Sequence, residues 1–216
     1  MTILALEFSS VQRSVAVARD GRMLAEAFET GERGTNVFGL IKTVLEGAKI
    51  GREEVEILVV GLGPGSYTGI RVGLAIAQGW QLAHGVKLLG IGSAECLASQ
   101  AQAAKIFGRV NVVIDAQRGE FYLAAYEVSA DCVREVASLK IVTTAEIETR
   151  AGAGEILTGP AVARWLPAGE NLFPQAATLA QLAARRKDFS RGEKLEPVYL
   201  RTANFVKAPP ARTLLS

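Results

Sequence analysis

Histidine is nearly missing from this chain. His84 is the single one, so an HExxH zinc site, which sets two histidines on one helix face, cannot form. A Ser-His-Asp hydrolase would have to use His84 as its base. Ser66, in a glycine-rich loop, starts the helix that His84 closes. Some fifteen helical residues hold the two ends roughly 20 Å apart, far beyond hydrogen-bond reach. Cysteine is scarce as well. Cys96 and Cys132 are distant and form no CxxC, which argues against a disulfide framework or a zinc knuckle and fits a reducing cytoplasm. No apolar run reaches the roughly 18 residues of a membrane span. The start, "MTILALEFSS", has neither the basic region nor the small-residue cleavage site of a signal peptide. An excess of one charge sign is lacking too. Lys and Arg number 24 against 22 Asp and Glu, a net +2, too little to argue nucleic-acid binding from electrostatics alone.

What is present is apolar bulk. Hydrophobic residues make up 49% of 216, enough for one large domain or two small ones sharing an interface. Ile3 to Leu6 form a buried strand ending at Glu7. "RSVAVARD" alternates, Asp20-Gly21 signals a hairpin, and "RMLAEAFET" completes a meander. Val37, Leu40, Ile41, Val44, Leu45 and Ala48 then follow helical spacing, with Thr35 or Asn36 as cap and Gly51 as the stop. "EILVVGL" is a fourth strand, a helix runs to about His84, "KLLGIG" is a fifth strand, and Ser93 to Lys105 form another helix.

The order then restarts. "VNVVIDAQRGEFYLAAYEV" again reads strand, acid (Asp115), turn, strand. A third strand near 133–142, a helix near 144–150, the strand and Gly-Pro turn of "EILTGPAVARW", and a helix over 176–187 follow. The chain therefore reads as an α/β protein of two lobes, 1–105 and 106–216, each with a mixed sheet and flanking helices. Glu7 and Asp115, at the tips of matching strands, either face a cleft between the lobes or cap turns as solvated strand ends.

The most distinctive stretch is "GLGPGSYTGIRVGLAIAQGW", residues 61–80. Gly63, Gly65 and Gly69 allow a sharp turn after a buried strand. Free N–H groups at the following helix start favour an anion. Gly63, Gly65, Ser66, Thr68 and Arg71 are accordingly the candidate contacts for a weakly held adenine nucleotide, ATP or ADP. No Gly-Lys-Ser/Thr follows, so this is no Walker A loop, and G-x-G-x-x-G fits only if Thr68 replaces its last glycine.

Taken in order, "GLGPGSYTGIRVGLAIAQGW", "VVIDAQRGEFYLAAYE" and "EPVYLR" (Glu196 to Arg201) resemble the TsaB (YeaZ) family along nearly the whole chain. The resemblance implies a duplicated ribonuclease-H-like fold of the actin-like ATPase superfamily. It also implies a role in threonylcarbamoyl transfer to the adenosine next to the anticodon of ANN-decoding tRNAs. In that role the chain is a non-catalytic partner of a TsaD-like catalytic subunit and a TsaE-like ATPase, forms a homodimer when alone, and meets tRNA only through the complex. An older label for the superfamily is glycoprotease. The catalytic relative holds a metal partly through two histidines, which this chain cannot supply. Two departures stand out: "EFS" (Glu7 to Ser9) where the family has "DT(S/A)", and "GERGTN" (Gly31 to Asn36) where relatives carry a histidine.

Two other functions compete with a scaffold. A glycoprotease-like peptidase has no visible machinery. A small-molecule kinase of the superfamily needs two phosphate loops, and in Thr158-Gly159-Pro160 the proline supplies no N–H. For the scaffold, Gly69, Gly73 and Ala77 recur every four residues and share one helix face with Trp80, Ile76 beside them. Two interior glycines each cost a helix about 1 kcal/mol against alanine. A second backbone packed on that stripe would explain them, from within the chain or from a partner. The family pairs through its first two helices, which makes Gly69, Gly73, Ile76, Ala77 and Trp80, with Val37, Phe38 and Ile41, the expected partner surface. Intrinsic cofactors and metals are expected to be none. The tail "RTANFVKAPPARTLLS" is basic and proline-broken, with Arg201, Lys207 and Arg212 as candidate contacts to tRNA or an acidic partner.

Overall fold

The computed structural model describes residues 1–31 and 36–200. Thr35, most of "GERGTN" and the basic tail with Arg201, Lys207 and Arg212 lie outside the described residues. Strands β1 (Thr2–Glu7), β2 (Gln12–Arg19) and β3 (Arg22–Thr30) form the antiparallel meander. Asp20 and Gly21 both take positive φ between β2 and β3, as the tightest hairpin turns require. Helix α1 (Val37–Ala48) is capped by Asn36, whose side-chain oxygen accepts the Gly39 N–H at 3.0 Å. It stops at left-handed Lys49, two residues before the expected Gly51. Strand β4 (Ile57–Gly61), helix α2 (Tyr67–His84), strand β5 (Lys87–Ile91) and helix α3 (Ser93–Ala103) complete the first half.

The second half repeats the plan with β6 (Gly108–Asp115), β7 (Glu120–Val128), β8 (Val133–Thr143), α4 (Thr144–Gly152), β9 (Ile156–Gly159), β10 (Glu170–Asn171) and α5 (Ala176–Ala183). The sheets have matching order, β3-β2-β1-β4-β5 and β8-β7-β6-β9-β10. In each, the meander is antiparallel, and the later strands run parallel to the first. The copy is abbreviated: where the first half has α2, the second has one 3-10 turn at Val162–Arg164. Helix α5 is also shorter than the expected 176–187.

Both faces of the first sheet are covered. Leu4, Leu6, Val15, Val17 and Val60 face α1 and α2, meeting Ile41, Val44 and Leu74. Ile3, Ala5, Ala16 and Val59 face the other way, onto Ala176, Leu179, Ala180 and Ala183 of α5. Each sheet thus takes a helix from across the boundary between 1–105 and 106–216. Helix α5 belongs to the first sheet, tied there by the Ala176 N–H donated to Ser14 Oγ at 2.8 Å. The chain after α5 stays with that half, through Ser190 N–H to Leu88 O and Val198 N–H to Leu62 O. Helix α3 sets Ala94, Leu97, Ala98 and Ala101 against Val110, Val112 and Ile114 of the second sheet, and turns Cys96 toward the first. The lobes are stitched by shared helices.

Candidate functional site

The tips of β1 and β6 and the loops after β4 and β9 border a cleft of about 600 Å³. The first half contributes Ser9, Ser10, Gly65 and Ser66, and the second Asp115, Gln117, Arg164 and Trp165. Asp115 accepts the Gln117 backbone N–H at 2.7 Å and the Gln117 amide at 3.3 Å. The same strand-end turn recurs in the first half, where Glu7 Oε1 accepts the Ser9 N–H at 2.6 Å.

The two acids nevertheless differ in place. Asp115 lines the cleft, but Glu7 is 0% exposed. Alternation along β1 puts Ile3, Ala5 and Glu7 on the face covered by α3 and α5, and Ser93, which opens α3, donates its hydroxyl to Ser9 Oγ at 2.8 Å. The extra methylene of glutamate folds the carboxyl over Gly61, where any Cβ would overlap Glu7 Oε2. That oxygen has no hydrogen-bond partner among the described residues. Burial pushes the Glu7 carboxyl above the usual carboxylate range, against the opposing pull of the Ser9 hydrogen bond. Of the two strand-end acids, Asp115 alone lines the cleft, and Glu7 caps its turn from a buried position, not a solvated one.

The glycine loop is held by its own chain. Ser66 N–H donates to Ser9 O at 2.6 Å, Ser66 Oγ accepts the Gly69 N–H at 3.3 Å, and Gly63 O accepts the Ser93 N–H at 2.7 Å. The N–H groups of Ser66 and Gly69 are thus engaged within the chain. Of the five candidate nucleotide contacts, only Gly65 and Ser66 line the cleft. Gly63 is buried against Ile70, while Thr68 and Arg71 are exposed outside the cleft. The Arg71 guanidinium lies 4.1 Å from the centre of the Tyr67 ring, and Tyr67 stacks on Tyr199 at 5.6 Å.

Helix α2 begins at Tyr67, capped by Ser66, so Gly69 sits in its first turn and does not precede it. Its stripe of small residues points inward. A Cβ on Gly69 would overlap Phe8 O, and one on Gly73 would lie 2.9 Å from Val60 Cγ2 and 3.5 Å from Phe8 Cδ2. Gly69, Gly73, Ala77 and Ile41 are buried, and Val37, Ile76 and Trp80 are partly buried in the same core. The second backbone is this chain's own sheet, so of the eight expected partner positions Ile41, Gly69, Gly73 and Ala77 are core positions, while Val37, Ile76 and Trp80 stand at its partly exposed edge. Phe38 alone of the eight remains exposed, at 73%. The other side of α2 presents Val72, Ala75, Gly79 and Leu82, all exposed, with Leu82 at 89%. A Cβ added at Gly79 would meet nothing within 4 Å. The spacing of three, four and three residues places them on one helix face, on the same side of the sheet as Phe38. His84 ends α2, exposed, with its ring 5.9 Å from Trp80.

Two sheets of one strand order, each opened by a strand ending in an acid, with a cleft at their tips, define a duplicated ribonuclease-H-like protein. The family described as "TsaD: tRNA N6-adenosine threonylcarbamoyltransferase" matches residues 34–195. The "tRNA threonylcarbamoyladenosine biosynthesis protein TsaB" of Escherichia coli (strain K12) is 30% identical, over 93% of this chain and 95% of its own. The protein of the same name from Haemophilus influenzae is 29% identical over 98% of each chain. The solved structure "YeaZ from Pseudomonas aeruginosa" superposes with a TM-score of 0.80 at 25% identity, covering 92% of this chain and 99% of that one. The chain belongs to the TsaB (YeaZ) family. Among the described residues, no helix is long and apolar enough to cross a membrane.

Proposed function

We propose that this chain is a non-catalytic subunit of tRNA threonylcarbamoyladenosine biosynthesis that seats a TsaD-like catalytic subunit on the outer face of α2. The names of its full-length relatives support the pathway. The outer face itself carries the reading: Val72, Ala75, Gly79 and Leu82 form an apolar, small-residue strip. Leu82 at 89% exposure has no use within the chain, and open space over Gly79 lets a second helix approach closely. In isolation the same face pairs two copies. The chemistry belongs to the partner. The one histidine lies at the end of α2, Glu7 is sealed from the cleft, and Asp115 is the cleft's acid among the described residues. Adenine nucleotide belongs to the assembly, with the TsaE-like ATPase: of this chain's five candidate contacts only Gly65 and Ser66 line the cleft, and the Ser66 N–H is already donated to Ser9 O. The tRNA is engaged within the complex.

Leu82→Glu tests the surface. A carboxylate there meets water in the free chain and an apolar partner in the complex. Co-sedimentation with the TsaD-like subunit of the same source is expected to weaken by at least roughly ten-fold, a change of about 1.4 kcal/mol, while circular dichroism is unchanged. Undiminished assembly by the folded variant would move the interface elsewhere.

A further inference from the structure

A second depression, of about 620 Å³, lies at the other end of the first sheet, where β1, β4 and β5 begin. It opens between the end of α2 and the segment after α5. Its walls carry Lys87, Arg185, Arg186 and Lys187, with His84 at the rim, and Glu56 is the lining carboxylate among the described residues. Some of this charge is spent. Arg186 pairs with Glu95 at 3.0 Å and Asp188 at 2.7 Å, and the Met1 amino group pairs with Asp20 at 2.5 Å and Glu56 at 3.5 Å. Lys87, Arg185 and Lys187 are exposed and form no ion pair among the described residues. Lys87 is steadied over the Phe189 ring, with Nζ 5.2 Å from its centre. Cations at helix C-termini complement the helix dipole, which accounts for Arg185, just past the end of α5. It does not account for Lys87, on a strand, or for Lys187, four residues past the end of α5.

We propose that this depression is a contact for the phosphodiester backbone of RNA. The proposal rests on the tRNA-modification reading and deepens it by giving this chain its own hold on the substrate. Three unpaired cations around a concavity suit closely spaced monoanionic phosphates, where each neutralised phosphate releases condensed counterions. An acidic protein partner would be expected to add apolar anchors, yet Phe189 is half-buried under Lys87. Position supports the same assignment. His84 is two residues beyond Leu82, so the depression adjoins the end of the face on which the catalytic subunit is seated. An RNA held by that subunit can run onto it. The charge is local, in a chain whose net charge is only +2.

The test uses the full chain, alone and with its TsaD-like partner. It compares wild type with the combined variant Lys87→Ala, Arg185→Ala, Lys187→Ala, and with Lys140→Ala as a control on β8. Binding of a transcribed ANN-decoding tRNA is followed by fluorescence anisotropy between 50 and 200 mM salt. The triple variant is expected to flatten the slope of log affinity against log salt by about 2 to 3, and to weaken binding roughly ten-fold or more at the low end, with the control unchanged. An unchanged slope in a folded, assembled triple variant overturns the proposal. An unchanged slope with lost assembly also overturns it and gives the depression to a protein partner. If wild type does not assemble with the TsaD-like subunit, yet the chain alone shows the flattened slope, the RNA contact stands and the seating on α2 falls.

Discussion

Glu7 and Gly61 lie side by side at the ends of adjacent parallel strands, one residue past the Leu6–Val60 pair. The carboxyl occupies the space that a side chain on Gly61 would fill. An acid so placed makes stability depend on pH. Burial raises its folded pKa above the ordinary carboxylate range, so the fold favours the protonated form. That contribution is fully present below the unfolded pKa and is lost as pH rises through the folded one. Wild type should lose stability across this window with a slope of up to about 1.4 kcal/mol per pH unit. Glu7→Gln keeps the volume and the acceptor for Ser9 N–H and should remove this slope. Urea unfolding of both proteins at steps from pH 5 to 8 checks it, and parallel curves would show that Glu7 ionises freely in the native state. The identity of the acid was plain in "EFS", but its burial was not. Burial follows from the parity of β1 and the bare Cα of Gly61 on a strand some fifty residues away in sequence.

Helix α2 is apolar on two sides, and this is why its sequence named the helix but not the direction of its faces. The run 69, 73, 77 and the run 72, 75, 79, 82 both satisfy helical spacing. Small residues suit close approach by any backbone, and only Phe8 and Val60, brought in by the sheet, show which one is used. The sides predict opposite outcomes for the same substitution. Gly73→Leu must displace Val60 and Phe8 and should destabilise the fold by at least about 1–3 kcal/mol. Gly79→Leu projects into open space, removes an interior helix glycine and should raise stability by up to about 1 kcal/mol. Thermal melts of the two variants separate them. Equal destabilisation would mean that the outer face is covered within the chain.

At the scale of the whole molecule, the duplication was readable because strand order survives when residue identity does not: strand, acid, turn, strand appears twice. The exchange of α3 and α5 was not. Both are alanine-rich helices whose partners are set by contacts far along the chain, such as Ala176 N–H to Ser14 Oγ. A fragment of residues 1–105 would leave Ile3, Ala5, Ala16 and Val59 without α5, and should show no cooperative unfolding transition by circular dichroism, whereas the full chain should unfold as one unit. A cooperative, monomeric fragment would show that the first lobe stands alone. The Asp115 turn and the glycine-loop turn were legible, whereas the loop's anchoring, Ser66 N–H to Ser9 O and Ser93 N–H to Gly63 O, depended on residues outside it. We propose that this chain works by seating a catalytic partner on the outer face of α2. The most direct test is reconstituted threonylcarbamoyladenosine formation on an ANN-decoding tRNA, with TsaD-like and TsaE-like subunits of the same source, comparing no added chain, wild type and Leu82→Glu. Modification is expected with wild type and not without the chain, with a loss of at least roughly ten-fold for the variant at equal concentration and recovery as the variant's concentration is raised. Full activity with Leu82→Glu, or turnover by this chain alone, would contradict it.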